Sequence, residues 1–314
     1  MLFAMVLGAT TTPAAPDEPQ TVVVTGVRDR GRYAVDDTAA AKVPVPLRDL
    51  PQTVSEVSAQ VLRDRRALSL QDALKGVAGV SFSSGDGQRD QVSIRGFIAI
   101  ADQYVHGFRD DGLYFRDLSN VERVEVIEGP AAVLYGRGSS GGLINRVTKK
   151  PDRDVFAGAV SAGSFGLRRG EVDLGTYSKA SGVGFRVTGA YENDGSFRRQ
   201  QFLKRGAFAP SLLVGGGRET SLLVQADYLD DRRVTDFGIP AVNGRPVDVA
   251  AGSYYGAANA RDADVAHSRV ISQTVTFTHR LGDDLSFRNG FRHYRYTLDR
   301  HNTQATAVNA AAVR

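Results

Sequence analysis

After Pro151 the chain runs in segments of about ten residues whose apolar and polar side chains alternate with period two, separated by Gly, Asp, Asn and Ser. Period two sends successive side chains to opposite faces of a strand. In "GFRVTGAY", Phe185, Val187 and Tyr191 share one face while Arg186 and Thr188 take the other. In "SLLVQADYL", Leu222, Val224, Ala226 and Tyr228 oppose Gln225 and Asp227. In "VISQTVTFTH", Ile271, Val275 and Phe277 oppose Ser272, Thr274, Thr276 and Thr278. "LSFRNGFRHYRY" sets Leu285, Phe287 and Phe291 against Ser286, Arg288 and Arg292. Roughly six to eight such segments predict an antiparallel β-structure. A soluble sandwich alternates too. Here the polar face carries Arg, Asp, Gln or Thr in nearly every segment, and aromatics gather near segment ends. That pattern favours a barrel with lipid outside and a polar lumen, and leaves the sandwich open.

Composition narrows the function classes. The chain has 314 residues, 34 of them Gly, and no Cys, so disulfides, thiolate chemistry and cysteine metal sites are excluded. A net charge of +4 without a basic block gives no reason to expect nucleic acid. No run of 18 apolar residues occurs, so no transmembrane helix is expected, which leaves a barrel untouched.

Residues 46–151 have a different texture, that of a small α+β domain. "PQTVSEVS" reads as a short strand and Ser58–Arg66 as a helix. Ser69 is placed to cap a second helix, with Asp72 at the capping-box position, Leu70, Ala73, Leu74 and Val77 on one face, and Gly79 as its stop. "VSIRGF" and Arg123–Ile127 read as further strands.

Gly136-Arg137-Gly138-Ser139-Ser140-Gly141 has the spacing of a dinucleotide loop. Such a loop must follow a strand, open a helix, and precede an acid about 20 residues on. Instead Ala131–Tyr135 reads as a turn of helix before the glycines, and the β-branched Leu143–Thr148 follows. No acid lies between Asp154 and Glu171. Tight turns or close backbone approach account for these glycines better.

Residues 1–19 contain a short apolar run, Leu2–Leu7, and small residues at Ala14 and Ala15. This fits a signal-peptide remnant and linker, or a floppy tail. Residues 20–45 form a polar arm with one β-prone island, "QTVVVTG". An apolar strand on such an arm suits addition to a partner's sheet edge, with a first edge strand as the plainer reading.

In order, "QTVVVTG", "LRDLPQTVSEVSAQVLRDRRALSLQDALKGVAGV", "SIRGF" and "FRDLSNVERVEVIEGPAAVLYGRGSSGGLINRVTKKP" resemble the TonB box and plug of TonB-dependent outer-membrane siderophore receptors. "GDGQRDQVSIRGF" and "FRDDGLYFRDLSNVERVEV" are most similar to the ferric catecholate branch; hydroxamate siderophores and cobalamin are the alternatives within the family. The resemblance implies active uptake of a ferric siderophore across the Gram-negative outer membrane, without bond chemistry. The siderophore is the transported ligand and fills the iron's coordination sphere, so neither a cofactor nor protein metal ligands are implied. The implied partners are a TonB-type energy-coupling protein, received by Thr21, Val22, Val23, Val24 and Thr25, and outer-membrane lipid. Plug apices matching ligand contacts are Arg89, Gln103, Tyr104, Tyr114 and Phe115. Arg95 and Arg123 match plug arginines that pair with barrel glutamates. Two departures stand out: His106 where relatives usually carry Asp, and Glu128 where Lys or Arg is commoner.

The family barrel has 22 strands, so residues 152–314 would supply about a third of it. A fragment whose sheet stays open is therefore expected. The rival classes have little support. The five histidines are scattered with no H-x-x-x-H helix, and G-x-S-x-G is absent, which removes zinc-hydrolase and esterase signals. A structural or adhesive β-protein of the cell envelope remains the alternative.

Overall fold

The structure, a computed structural model, describes residues 3–8, 33, 37–39, 45–46 and 49–305, apart from 137, 139, 283 and 284. The segment 21–25 lies outside the described residues.

An inner α+β unit forms from residue 54 onward. Ser58 caps the helix Ala59–Asp64 by accepting from the Val61 N–H. Ser69 and Asp72 close a capping box on Leu70–Leu74: the Asp72 N–H donates to Ser69 Oγ at 3.1 Å and the Ser69 N–H to Asp72 at 3.2 Å. The second helix ends before Gly79, which instead adopts φ +73° and accepts from the Arg95 N–H. A five-stranded sheet runs Val54–Ser58, Val121–Glu128, Gly142–Thr148, Gln103–Val105, Phe108–Arg109. A smaller sheet holds Val80–Ser83, Gln91–Ile94 and Phe97–Ile98. Leu70, Leu74, Val92, Ile94, Val124, Val126 and Ile144 are fully buried in one core. Each large aliphatic contributes about 1.5–3 kcal/mol by leaving water.

The glycine run sits where two backbones nearly touch. A Cβ on Gly141 would lie 2.1 Å from the Ile94 carbonyl oxygen, and one on Gly142 (φ +137°) 2.3 Å from that of Ile127. The order is strand, helical turn Ala132–Tyr135, glycines, strand, with Val121–Glu128 and Gly142–Thr148 antiparallel.

The wall around this unit is one antiparallel sheet: Val155–Ala162, Arg168–Ser178, Val183–Asp194, Leu203–Val214, Thr220–Val234, Val265–Arg280 and Ser286–Arg300. Phe3–Gly8, read from sequence as part of a leader, pairs with Val155–Ala162 as an outer strand. Among the described residues the two edge strands do not pair with each other, so the sheet is open. Connections are short at one end (179–182, 215–219, 281–285) and long at the other, where 235–264 is the longest.

The alternation has an inverted sense. Phe185, Tyr191, Phe208, Leu222, Tyr228 and Phe291 are exposed, whereas Arg186, Thr188, Arg205, Gln225, Asp231, Ser272 and Thr274 are buried. A soluble sandwich would bury the first set. A sheet that buries its arginines and exposes its phenylalanines is built for lipid on one side and a polar filling on the other. This settles the choice left open by the pattern.

Candidate functional site

The inward polar face of the wall closes on the inner unit through four clusters of charge. Asp117 accepts from Arg169 at 2.8 and 3.2 Å, with Arg205 at 3.8 Å. Arg169 also reaches Glu171 and Glu192, each at 2.6 Å, and Arg205 reaches Asp231 at 2.8 Å. Burial alone would raise the Asp117 pKa; Arg169 and then Arg205 hold it well below the ordinary carboxylate range.

Asp110 is the centre of the second cluster and has no exposure. Tyr114 donates its hydroxyl at 2.7 Å, Arg116 Nε lies at 3.3 Å, and Arg146 also donates to it. From the wall, Arg292 comes within 3.7 Å and donates to the Arg109 carbonyl at 2.8 Å. Burial disfavours the Asp110 charge, but Arg116, Arg146 and Arg292 together lower its pKa to about 2. Arg116 is itself 1% exposed and donates to the carbonyls of Asp110, Gly112 and Tyr114.

The third cluster joins Asp86 to Arg300 of the last wall strand at 2.8 Å and to Arg89 at 2.9 Å. Beside it, a Cβ on Gly87 would fall 2.8 Å from backbone atoms of Asp236. In the fourth, Lys149 and Arg186 share Asp173 at 2.8 and 2.7 Å. Asn120 to Asp227 and Gln225 to Thr148, both 2.8 Å, complete the seam.

At the long-connection end, a cavity of about 170 Å³ lies among Phe237, Tyr254, Tyr255 and Thr303. Arg300 stands over the Phe237 ring at 5.4 Å, and Arg233 over Phe115 at 4.0 Å. The seam is suited to holding an inner body in a sleeve by polar contacts. Among the described residues, no group of three or more His, Asp or Glu is placed to hold a metal.

The TonB-dependent Receptor Plug Domain profile matches residues 46–143, the inner unit. The chain carries the plug domain of the TonB-dependent receptors. It is 31% identical over 81% of its length to the probable TonB-dependent siderophore receptor PiuA of Acinetobacter baumannii, spanning 36% of that protein. It is 32% identical over 85% of its length to the catecholate siderophore receptor Fiu of Escherichia coli, spanning 37% of it. The crystal structure of Fiu in its closed form superposes with a TM-score of 0.78 at 30% identity, covering 85% of this chain and 40% of that one. That of PiuA gives 0.77 at 29% identity, with the same coverage. The chain thus spans well under half the length of these relatives. Receptors of this family are outer-membrane proteins.

Within the plug, the expected apical residues separate into two groups. Gln103 and Tyr104 lie in a strand paired with Ile144 and Asn145, 0% and 2% exposed. The Tyr104 hydroxyl donates to the Tyr135 carbonyl at 3.1 Å. Tyr114 is buried with Asp110. All three are buried; the hydroxyls of Tyr104 and Tyr114 are met by neighbours, as buried polar aromatics usually are, whereas the Gln103 amide has no hydrogen-bond partner among the described residues. Arg89 and Phe115 remain half-buried near the long-connection end, held by Asp86 and by Arg233.

Among the described residues, Arg95 and Arg123 pair inside the plug. Arg95, at φ +50°, meets Glu128 at 2.7 Å, and Arg123 meets Glu125 at 2.9 Å. Glu128, one of the departures, thus supplies the partner for Arg95. His106, the other, occupies a turn at φ +51° and lies 2.6 Å from Thr148 Oγ1. Burial, then Lys150 and Arg288, lowers its pKa to about 3, so the imidazole is neutral at pH 7.

The plug carboxylates Asp86, Asp110 and Asp117 and the wall residues Arg169, Arg205, Arg292 and Arg300 were not singled out by sequence reasoning. A signal existed for Arg169, Arg205 and Arg292, each on the polar phase of its strand, but not for Arg300, which shares its phase with Tyr294, Tyr296 and Leu298. Nothing in the sequence shows which acid each would meet.

Proposed function

We propose that this chain is the plug and leading wall of a receptor that takes up ferric siderophores through the outer membrane, with catecholates as the ligand class. The single observation that carries the reading is the inverted wall clamped on a plug: a sheet whose exposed face is apolar and whose buried face is charged. Two relatives add to it, Fiu being named a catecholate siderophore receptor and PiuA a probable siderophore receptor. A ferric catecholate is bulky and anionic, and guanidinium and aromatic groups suit it through charge and cation–π contact. Arg89, Arg300, Phe237, Tyr254 and Tyr255 supply those groups at the long-connection end. This also keeps Arg89 and Phe115 as candidate contacts. Arg95 and Arg123 are kept as plug anchors whose charge is already met within the plug. No protein metal ligand and no cofactor enters, since the siderophore supplies the iron's donors.

Energy would enter through Thr21–Thr25, added as a strand to a periplasmic TonB-type protein. The test is a chimaera in which residues 20–300 replace the corresponding part of a full-length catecholate receptor. In a strain lacking its own receptors, growth on a ferric catecholate under iron limitation is expected, and growth on a ferric hydroxamate is not. Catecholate failure from a correctly inserted chimaera would reject the ligand class. Val23→Pro, which removes a strand N–H, should abolish uptake while leaving ligand binding intact; unchanged uptake would reject the arm's role.

A further inference from the structure

At the long-connection end of the wall, strand register sets one row of residues side by side. Arg168 pairs with Asn193, Asn193 with Lys204, Lys204 with Arg232, and Arg232 with His267. The row lies on the outward phase that also carries Tyr191, Phe208 and Tyr228, and Arg168, Asn193, Lys204 and Arg232 are exposed. Lys204 therefore faces Arg232 directly across an antiparallel pair. Like charges so placed repel and weaken the sheet. Among the described residues nothing relieves them: the side chains of Arg168, Lys204 and Arg232 make no hydrogen bond or ion pair. The acid beside Arg232 on this face, Asp230, is already held by His267 at 2.9 Å and Arg269 at 3.2 Å. Arg168 stands two strands from Lys204, about 10 Å at the spacing of neighbouring strands.

Below the row the same face turns apolar. Tyr191 stands between Gly170 and Gly206. A Cβ on either glycine would meet nothing within 4 Å. These open positions leave a recess rimmed by Tyr191, Phe208 and Tyr228, which are 60%, 50% and 40% exposed. On the strands Arg168–Ser178, Val183–Asp194, Leu203–Val214 and Thr220–Val234, no further Lys or Arg falls on the outward phase. Long connections of an outer-membrane barrel are extracellular, so the row meets the headgroups of the outer leaflet.

We propose that this row docks an outer-leaflet lipid whose headgroup carries two phosphates. Lys204 and Arg232 take one phosphate and Arg168 the other, and an acyl chain lies in the recess beside Tyr191 and Phe208. Guanidinium groups bind phosphate oxygens in pairs, and an ammonium adds a point charge. The phosphate cancels the repulsion between Lys204 and Arg232. A headgroup with one phosphate reaches only one of the two cationic positions. The site does not depend on which siderophore is transported.

The test uses the whole chain, folded in neutral detergent. It is mixed with lipid A, a glycolipid bearing two phosphates, with the monophosphoryl form, or with phosphatidylcholine, and bound lipid is counted by native mass spectrometry. Lipid A should be retained and phosphatidylcholine lost. Near an anionic lipid surface each Lys or Arg is worth about five-fold in affinity, so Lys204→Ser with Arg232→Ser should weaken lipid A retention about thirty-fold. Arg168→Ser should leave lipid A and its monophosphoryl form equally bound. Lys179→Ser with Arg280→Ser, which removes exposed cations at the short-connection end, should change nothing. If the serine pair at 204 and 232 disturbs folding, Lys204→Gln with Arg232→Gln replaces it, with the same loss expected. Lipid A retention that survives loss of Lys204 and Arg232, that falls equally in the short-end variant, or that excess inorganic phosphate abolishes would overturn the docking site.

Discussion

Plug and wall are built from strands of the same period with opposite solutions to burial. In the plug, Val124, Val126 and Ile144 turn inward with no exposure. In the wall, Arg186, Arg205 and Asp231 turn inward, and Phe185, Phe208 and Phe291 turn out. A period of two therefore specifies a two-faced strand but not which face is buried; the medium on each side decides. The seam between the regions is polar because the wall's charged face has only the plug to meet. Charges closed off from water there are stable only when paired.

The largest effect should come from breaking that seam. Asp110→Ala leaves Arg116, Arg146 and Arg292 without their shared carboxylate, and is expected to cost about 4 kcal/mol. Denaturant unfolding in detergent should show the plug separating from the wall at lower denaturant. A change under about 1 kcal/mol would mean that the cluster is hydrated and not a clamp. Acid should act on the same contact. Asp110 has its pKa lowered from 3.8 to about 2, so its contribution is present above pH 4 and is lost as the pH falls through about 2. Plug protection from protease should be flat from pH 7 to 4 and drop below that.

Leu74→Ala opens a cavity in the plug core and should cost about 3 kcal/mol, equally in detergent and in lipid vesicles. Val172→Arg, on the exposed face of the wall, should cost about 2 kcal/mol in lipid if it lies near the bilayer midplane. It should be nearly silent where the face meets water. Together these two substitutions sharpen the comparison, since the first ignores the medium and the second depends on it. Equal penalties for Val172→Arg in lipid and water would show that this face does not meet hydrocarbon. The smallest effect is local: Ser69→Ala removes the capping box of Leu70–Leu74 and should cost about 1 kcal/mol, read as a shift in the plug's unfolding midpoint.

Much of this was legible in the residues. The capping box at Ser69 and Asp72, the strands at 121–128 and 142–148, and the alternating wall segments all follow from local chemistry that survives folding. So does the reading of the glycine run as close approach and not a nucleotide loop, since Gly141 and Gly142 face backbone carbonyls. The site was less legible. Tyr104 and Tyr114 carry the side chains of ligand contacts yet serve as packed, hydrogen-bonded core. Arg95 and Arg123 have the charge of wall anchors yet find Glu128 and Glu125 first.

By itself, the sequence determined where strands form, which of their side chains share a face, and that an α+β unit precedes them, because capping, turn chemistry and period act over a few residues. The tertiary structure decided which face is buried and which acid meets which arginine. Asp117 meets Arg169 across 52 positions and Asp86 meets Arg300 across 214. Charge attraction has no preference for sequence separation, so only the packing of plug against wall could choose those partners.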